Sequence, residues 1–385
     1  MIEYNKQNPL RCFYAFAGYN SQKMALKRLA EHFPEFHHVC VGWSEIDANA
    51  IKANNDVFPE DADKNFGDIT KIDWSKVPDF DLFTYSFPCQ SISSSGKQEG
   101  LEEGSGTRSS LLWECKKSIE IKKPRFLMME NVKALTQKKF QPYLKKWQTW
   151  LYQQGYENFT QVLNASDYGV PQNRERVFMI SILRTDREPN PCFYFTKKMK
   201  LERCIKDILE PNVDESFYLS DKALEYFCRV NNSQLNGIMS HKIERIFNIY
   251  TGKILGGCYA GNVYGIYGIA PTLNCMGGGN RMPLILIVED EDKDNMLAVP
   301  ELRMENGCMV DKEVQRYRIR KLTPAECFRL MDVEDEDIEK MKQAGIAKTN
   351  LYKLAGNSIV VSCMYHIFRK LFIEKECESN QLSLF

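Results

Sequence analysis

The stretch RCFYAFAGYNSQKMALKRLAEHFPEFHHVCVGWSEID, residues 11–47, decides the fold. It opens on an apolar run, RCFYAFAG, which ends in small residues and reads as a strand and a turn. SQKMALKRLAEHF then sets Met24, Leu26 and Leu29 near one face with charges between them, the pattern of an amphipathic helix. HHVCVGWSEID is a second apolar run with an acidic end. Strand, helix and strand in this order make a βαβ unit.

The same alternation continues outward. FGDITKI (66–72) and DLFTYSF (81–87) are strand-end signals, LLWECKKSIEIKK (111–123) a helix and PRFLMMENV (124–132) a strand. FQPYLKKWQTWLYQQGY (140–156) reads as a helix, and FTQVLNA (159–165) and RVFMISIL (176–183) as strands. The expected class is α/β, a doubly wound, mostly parallel, Rossmann-like sheet. Such sheets bind ligands beyond the carboxyl ends of their strands. FAG, SEID, GDIT, FPCQ and MMENV all fall there.

After Arg184 the alternation stops. From Glu188 to about Val310 the text is rich in Gly, Asn, Tyr and Arg without helical period, and GGCYAGNVYGIYGIAPTLNCMGGGNRMP (256–283) reads as loops and short strands. In RKLTPAECFRLMDV (320–333), Thr323 is expected to cap a helix with Glu326 as its capping-box partner. KLAGNSIVVSCMYHIFRKLF (353–372) reads as one long apolar helix. The expected division is a catalytic domain of residues 1–187 and 350–385 and an inserted, irregular, mostly-β unit with its hinge at 188–349. Residues 376–385 are expected to form a separate tail.

Composition narrows the function. The 385 residues carry a formal net charge of +0 and 43% hydrophobic residues, so there is a core to bury but no global basic field. A polyanion must be held by local patches, with KKPRF, KKFQPYLKKW, KKMKLERCIK and QRYRIRK as candidates. There are 13 cysteines without a CxxC pair and 5 histidines without zinc spacing, so no metal site and no disulfide framework are expected. The first residues lack a basic-then-apolar signal pattern, and no apolar run spans a bilayer. A soluble, cytoplasmic protein without a membrane partner is expected.

Cys89 stands apart from the other cysteines. It follows Pro88 just past a strand end, at the start of a loop rich in serine and glycine. Glu130 is expected at a neighbouring strand end. A thiol beside a carboxylic acid suits addition of sulfur to an electron-poor ring, the acid protonating the ring as sulfur attacks. In NASDYGVPQNRERVFMI, Arg174 and Arg176 alternate along an expected strand and would face one side. Two cations at that rim would lower the pKa of Cys89.

These motifs, FAG, SEID, GDIT, FPCQSISSSGKQEG, ENV, QNRER, RKLTPAECFRL and AGNSIV, carry a resemblance in their identity and order. The chain resembles the DNA cytosine-5 methyltransferases of bacteria and phages. The resemblance implies sequence-specific methylation of cytosine C5 in double-stranded DNA with S-adenosylmethionine, by base flipping and covalent addition of Cys89 to C6. Glu130 would contact ring N3 and the exocyclic amine, Arg176 the cytosine O2, and Arg174 would support the pocket and the Cys loop. Asn131 would hold the backbone near Pro88. Phe16, Gly18, Glu45, Ile46, Asp68, Ile69, Asn357 and Ser358 would line the cofactor site, with Glu45 on the ribose and Ile46 on the adenine. Gln90, Ser95, Thr272, Asn280 and Arg281 would meet DNA, and APTL with its following glycines is similar to the family's target recognition core. The chain departs from the family's D-L-F-x-G-x-G-G at Tyr14-Ala15-Phe16-Ala17-Gly18-Tyr19-Asn20.

The tail ends in QLSLF, which resembles the motif that docks bacterial proteins on the replication sliding clamp. Gln381, Leu382, Leu384 and Phe385 would make that contact. A monomer in the bacterial nucleoid is expected, with a cognate restriction enzyme as a candidate partner. RNA cytosine methylation and a non-catalytic DNA-binding regulator are the competing readings. Intact Cys89, Glu130 and Arg176 argue against the regulator.

Overall fold

The computed structural model describes residues 3–92, 101–220, 242–243, 245–248, 260–275, 282–288, 303–305, 308–310 and 316–374. The first part of the chain alternates as β1 (Leu10–Ala15), α1 (Ser21–His32), β2 (His38–Ser44), α2 (Ala48–Val57), β3 (Leu82–Tyr85), α3 (Cys115–Lys122), β4 (Phe126–Val132), α4 (Gln141–Gln153), β5 (Tyr156–Asn164), β6 (Gln172–Asn173) and β7 (Glu175–Leu183). All but β6 form a 6-stranded sheet of order β2-β1-β3-β4-β7-β5. Strands β1 to β4 pair in parallel, and β7 runs antiparallel to both β4 and β5.

The sheet is covered on both faces, which is why its strands are nearly continuous apolar runs. Alternate residues separate cleanly between two cores. Cys12, Tyr14, Phe126, Met128, Phe178 and Ile180 join one cluster with α1. Phe13, Ala15, Phe83, Tyr85, Leu127, Met129, Val177 and Met179 join the other, with Trp113 and Trp147. Because β1 lies between β2 and β3, the strand order reverses beside β1. The carboxyl ends there form the crevice in which such folds bind ligands.

A second 6-stranded sheet has the order β12-β13-β14-β11-β9-β8. It comprises β8 (Arg245–Asn248), β9 (Asn262–Gly265), β11 (Leu284–Val288), β12 (Arg303–Glu305), β13 (Cys308–Val310) and β14 (Arg316–Lys321). The short β10 (Ala270–Pro271) leaves that sheet and pairs in parallel with β6.

The chain then returns through α5 (Pro324–Arg329), α6 (Asp335–Gln343), α7 (Lys348–Asn357) and α8 (Val361–Phe372). Thr323 and Glu326 form the capping box at the start of α5, each side chain bonding the other's backbone N–H. The return is pinned to α1: Arg28 bonds the Asp332 carboxylate and, at 3.0 Å, Glu334, while His32 Nδ1 lies 2.8 Å from the Tyr365 hydroxyl in α8. Among the described residues no helix is long and apolar enough to cross a membrane.

Two local expectations are corrected. The helix expected over 353–372 is two helices, separated by extended backbone at Ser358 and Val360. The break frees the carbonyls of Gly356 and Ser358, both of which are taken by Arg174. The QNRER strand is likewise interrupted at Arg174, between β6 and β7. Its backbone N–H turns to Gln172 O and to Asn164 Oδ1, at 3.1 and 3.0 Å, and so leaves the ladder.

Candidate active site at the strand ends

Cys89 lies four residues past the end of β3, half-buried. The turn that carries it is held by neighbouring elements. Asn131, buried in β4, donates from Nδ2 to Phe87 O at 2.9 Å, the carboxyl-side neighbour of which is Pro88. Ile92 N–H closes the turn on Cys89 O at 3.0 Å. Gln90 is exposed and accepts from Arg108 at 2.9 Å.

Glu130 is 7% exposed in β4. The register pairs Glu130 with Phe178 and Val132 with Arg176, so Glu130 and Arg176 are diagonal neighbours on one face. Arg176 Nε lies 3.4 Å from Glu130 Oε1. Burial pushes the Glu130 carboxyl above the ordinary range, and Arg176 and then Arg174 only partly oppose it. Burial also raises the Cys89 thiol; Arg176 pulls it down and Glu130 pushes it up. Both cations, Arg176 and more weakly Arg174, lower the Cys89 thiol as expected, but desolvation outweighs their field and the thiol stays above its ordinary range.

Arg174 acts on Cys89 and Glu130 through its charge, while its hydrogen bonds go to other segments. Its guanidinium is buried and donates to Leu273 O at 2.8 Å, Gly356 O at 2.9 Å and Ser358 O at 2.7 Å. Burial, with Arg176 second, pushes it down to about 9. It buckles the segment after β10 to the break between α7 and α8. Gln172 works beside it, accepting Leu273 N–H at 3.0 Å and donating to Leu330 O at 2.6 Å. The Thr272 hydroxyl, expected on DNA, donates to Asn173 O at 2.6 Å. Ser95, Asn280 and Arg281 lie outside the described residues, as do Gln381, Leu382, Leu384 and Phe385.

The expected cofactor residues gather along the ends of β1 and β2. Phe16 and Gly18 both have positive φ, 54° and 58°. For Phe16 this backbone is uncommon and strained, a feature that clusters at ligand sites. Glu45 Oε2 accepts Gly18 N–H at 2.9 Å, and its Oε1 accepts the N–H groups of Ile46 and Asp47. Ile46 is 71% exposed, an apolar side chain standing open beside two carboxylates. Asp68 Oδ1 accepts from the Thr70 N–H and hydroxyl, which holds its carboxyl below the ordinary range, and Ile69 is buried under it. Asn357 accepts from Cys275 Sγ at 2.6 Å, and Ser358 donates to Ser21 Oγ at 3.1 Å.

Two further residues at this edge carried no sequence signal. Cys275 was one of many scattered cysteines, yet it is exposed and bonds the expected cofactor residue Asn357. Ser109, in the 3-10 turn Arg108–Glu114 before α3, bonds the backbone around Cys89. RSSLLW reads only as a helix start.

A sheet of this order carries a thiol, a buried acid and a guanidinium at its carboxyl edge, and comparison shows the class of enzyme to which the chain belongs. The family model for C-5 cytosine-specific DNA methylase matches residues 10–373, and the chain belongs to that family as a DNA cytosine-5 methyltransferase. It is 37% identical to the Type II methyltransferase M2.ScrFI of Lactococcus lactis subsp. cremoris, covering 94% of this chain and 99% of that relative. It is 30% identical to the Type II methyltransferase M.HhaI of Haemophilus parahaemolyticus, covering 93% of each. It is also 30% identical to the orphan methyltransferase M.SPRI of Bacillus phage SPR, covering 96% of this chain and 99% of that one. Among solved structures, the Entamoeba histolytica methyltransferase EhMeth shares the fold with a TM-score of 0.67 at 14% identity, covering 96% of this chain and 99% of that one.

Proposed function

We propose that this enzyme methylates cytosine in a short sequence of duplex DNA after turning the base out of the helix, with Cys89 as covalent nucleophile. The observation that carries this reading is the meeting of Cys89, Glu130 and Arg176 at one edge of the sheet. Cys89 Sγ bonds to C6 while the C5–C6 electron pair shifts to C5. Glu130, kept easy to protonate by burial, delivers its proton to N3, so the ring does not accumulate negative charge. Arg176, beside Glu130, would hold the ring O2. Its field also favours the thiolate needed for attack. After methylation a water base takes the C5 proton, N3 returns its proton to Glu130, the C6–S bond breaks, and the thiolate and the 5,6 double bond are restored.

The β1 and β2 rim fits S-adenosylmethionine. Glu45 still has an acceptor position on Oε2 for a ribose hydroxyl, Asp68 has a half-buried carboxylate whose Oδ2 is left to accept from an amine, and Ile46 offers an open apolar surface to a base. Phe16, Gly18, Ile69, Asn357 and Ser358 complete the proposed lining. When bound, S-adenosylmethionine would supply the electrophilic methyl group that the activated C5 takes up, the C–S bond breaking to leave S-adenosylhomocysteine.

Target recognition is assigned to residues 188–321, with Gln90, Ser95, Thr272, Asn280 and Arg281 as proposed DNA contacts. The contacts of Arg28 with Asp332 and Glu334 support ending that unit near Leu322 rather than at 349. We place the enzyme as a monomer on the bacterial nucleoid, with a cognate restriction enzyme as a proposed partner. The QLSLF sequence supports a sliding-clamp contact through Gln381, Leu382, Leu384 and Phe385. Unchanged clamp capture after deletion of residues 381–385 would remove that assignment.

Duplex DNA containing 5-fluorocytosine tests the covalent step. Fluorine cannot leave C5 as the proton does, so the Cys89 adduct persists and migrates as one protein–DNA species. Adduct in the wild type and none in Cys89→Ala is the expected result; adduct formation by Cys89→Ala would overturn it.

A further inference from the structure

We propose that Ser109 is a positioning residue for the reaction, holding the Cys89 turn in the geometry of attack; the proposal rests on Cys89 being the nucleophile. Ser109 is fully buried, at 0% exposure. Its hydroxyl donates to Pro88 O at 2.7 Å and accepts Ser91 N–H at 3.2 Å. One side chain therefore holds the backbone on both sides of Cys89. A hydroxyl can do this because it is donor and acceptor at once.

The adjoining residue adds a second contact, Arg108 Nη1 to Gln90 Oε1 at 2.9 Å. From the opposite side Asn131 holds Phe87 O. The backbone at residues 87, 88 and 91 is thus held by side chains from other elements, and Arg108 holds the Gln90 side chain. Cys89 is left to present its sulfur from a turn that cannot rotate freely. Attack on a ring carbon is sensitive to the approach of the nucleophile, and a displacement of about 1 Å costs on the order of 100-fold in rate. Removing the Ser109 hydroxyl leaves a carbonyl and an amide of the turn without their partner and lets it settle elsewhere.

The test compares the full-length chain with Ser109→Ala, Ser110→Ala and Cys89→Ala. Ser110 is the control, because its hydroxyl donates to Thr107 O at 2.7 Å within the same 3-10 turn. Measured are the rate of adduct formation on 5-fluorocytosine DNA at saturating DNA and S-adenosylmethionine, the DNA dissociation constant, and the melting temperature. Ser109→Ala is expected to slow adduct formation roughly 10- to 100-fold with DNA affinity unchanged, and Ser110→Ala to leave it unchanged. Wild-type adduct formation by Ser109→Ala, or an equal slowing in both serine variants, would overturn the proposal. Adduct formation by Cys89→Ala would instead overturn the nucleophile assignment, and this proposal with it. Should Ser109→Ala not fold, Ser109→Cys keeps the shape with a weaker, longer hydrogen bond. A rate equal to wild type in that variant would also overturn the proposal.

Discussion

The guanidinium Nε of Arg176 lies 3.4 Å from Glu130 Oε1, yet burial still leaves the Glu130 carboxyl easier to protonate than an ordinary glutamic acid. Two opposing effects act on one group, and desolvation is the larger. The result is an acid that can carry a proton while a cation stands beside it.

Removing that proton donor is expected to slow methyl transfer strongly. Glu130→Gln keeps the shape and an amide donor but cannot pass a proton to N3, and a loss of about 10²- to 10⁴-fold in turnover is expected. DNA binding should change little. Single-turnover transfer of labelled methyl groups to duplex DNA measures it, and a loss smaller than about 10-fold would argue against proton transfer by Glu130.

The thiol titration should respond to the same pair with opposite signs. Burial raises Cys89, so its thiolate fraction grows only as pH rises above the ordinary thiol range. Arg176 lowers this pKa, so Arg176→Ala moves the profile to higher pH. Glu130 raises it, so Glu130→Gln moves the profile to lower pH. The pH dependence of Cys89 alkylation by iodoacetamide, without DNA, reads both. Shifts in the same direction would contradict the electrostatic account.

The return of the chain depends on a buried ion pair. Arg320 and Glu326 are bidentate at 2.7 and 2.6 Å, both essentially unexposed, and Glu326 also accepts the N–H groups of Thr323 and Glu210. Glu326→Ala leaves a buried guanidinium without its partner and should cost about 3–5 kcal/mol of stability. Urea denaturation measures this, and a cost below about 1 kcal/mol would show that the site repacks.

Gly356 is required by close approach, not by its backbone angles. A Cβ there would meet Asn274 O at 2.0 Å, against backbone that cannot swing aside. Gly356→Ala is expected to cost about 1–3 kcal/mol and to disturb the Arg174 buckle beside it. Thermal unfolding together with methyl transfer checks both effects.

Much of this was legible in the sequence because it is local. The period of SQKMALKRLAEHF set α1, and Thr323 and Glu326 announced their cap, since both depend on neighbours within a turn. The order of motifs identified the family. What escaped reading was tertiary. The break after Asn357 goes with a tertiary contact, Arg174 taking the freed carbonyls of Gly356 and Ser358. Ser109 reaches Cys89 across a separation of twenty residues, and no periodicity encodes that. The pull of the two arginines on Cys89 was legible because charges are visible in a sequence, but the larger opposing desolvation was not.

The most direct test of the central claim is bisulfite sequencing of plasmid DNA from cells expressing this chain, beside cells expressing Cys89→Ala. The account predicts protected cytosines in one short sequence context in the wild type and none in the variant. Protection that survives in Cys89→Ala, or its absence from both, would contradict it.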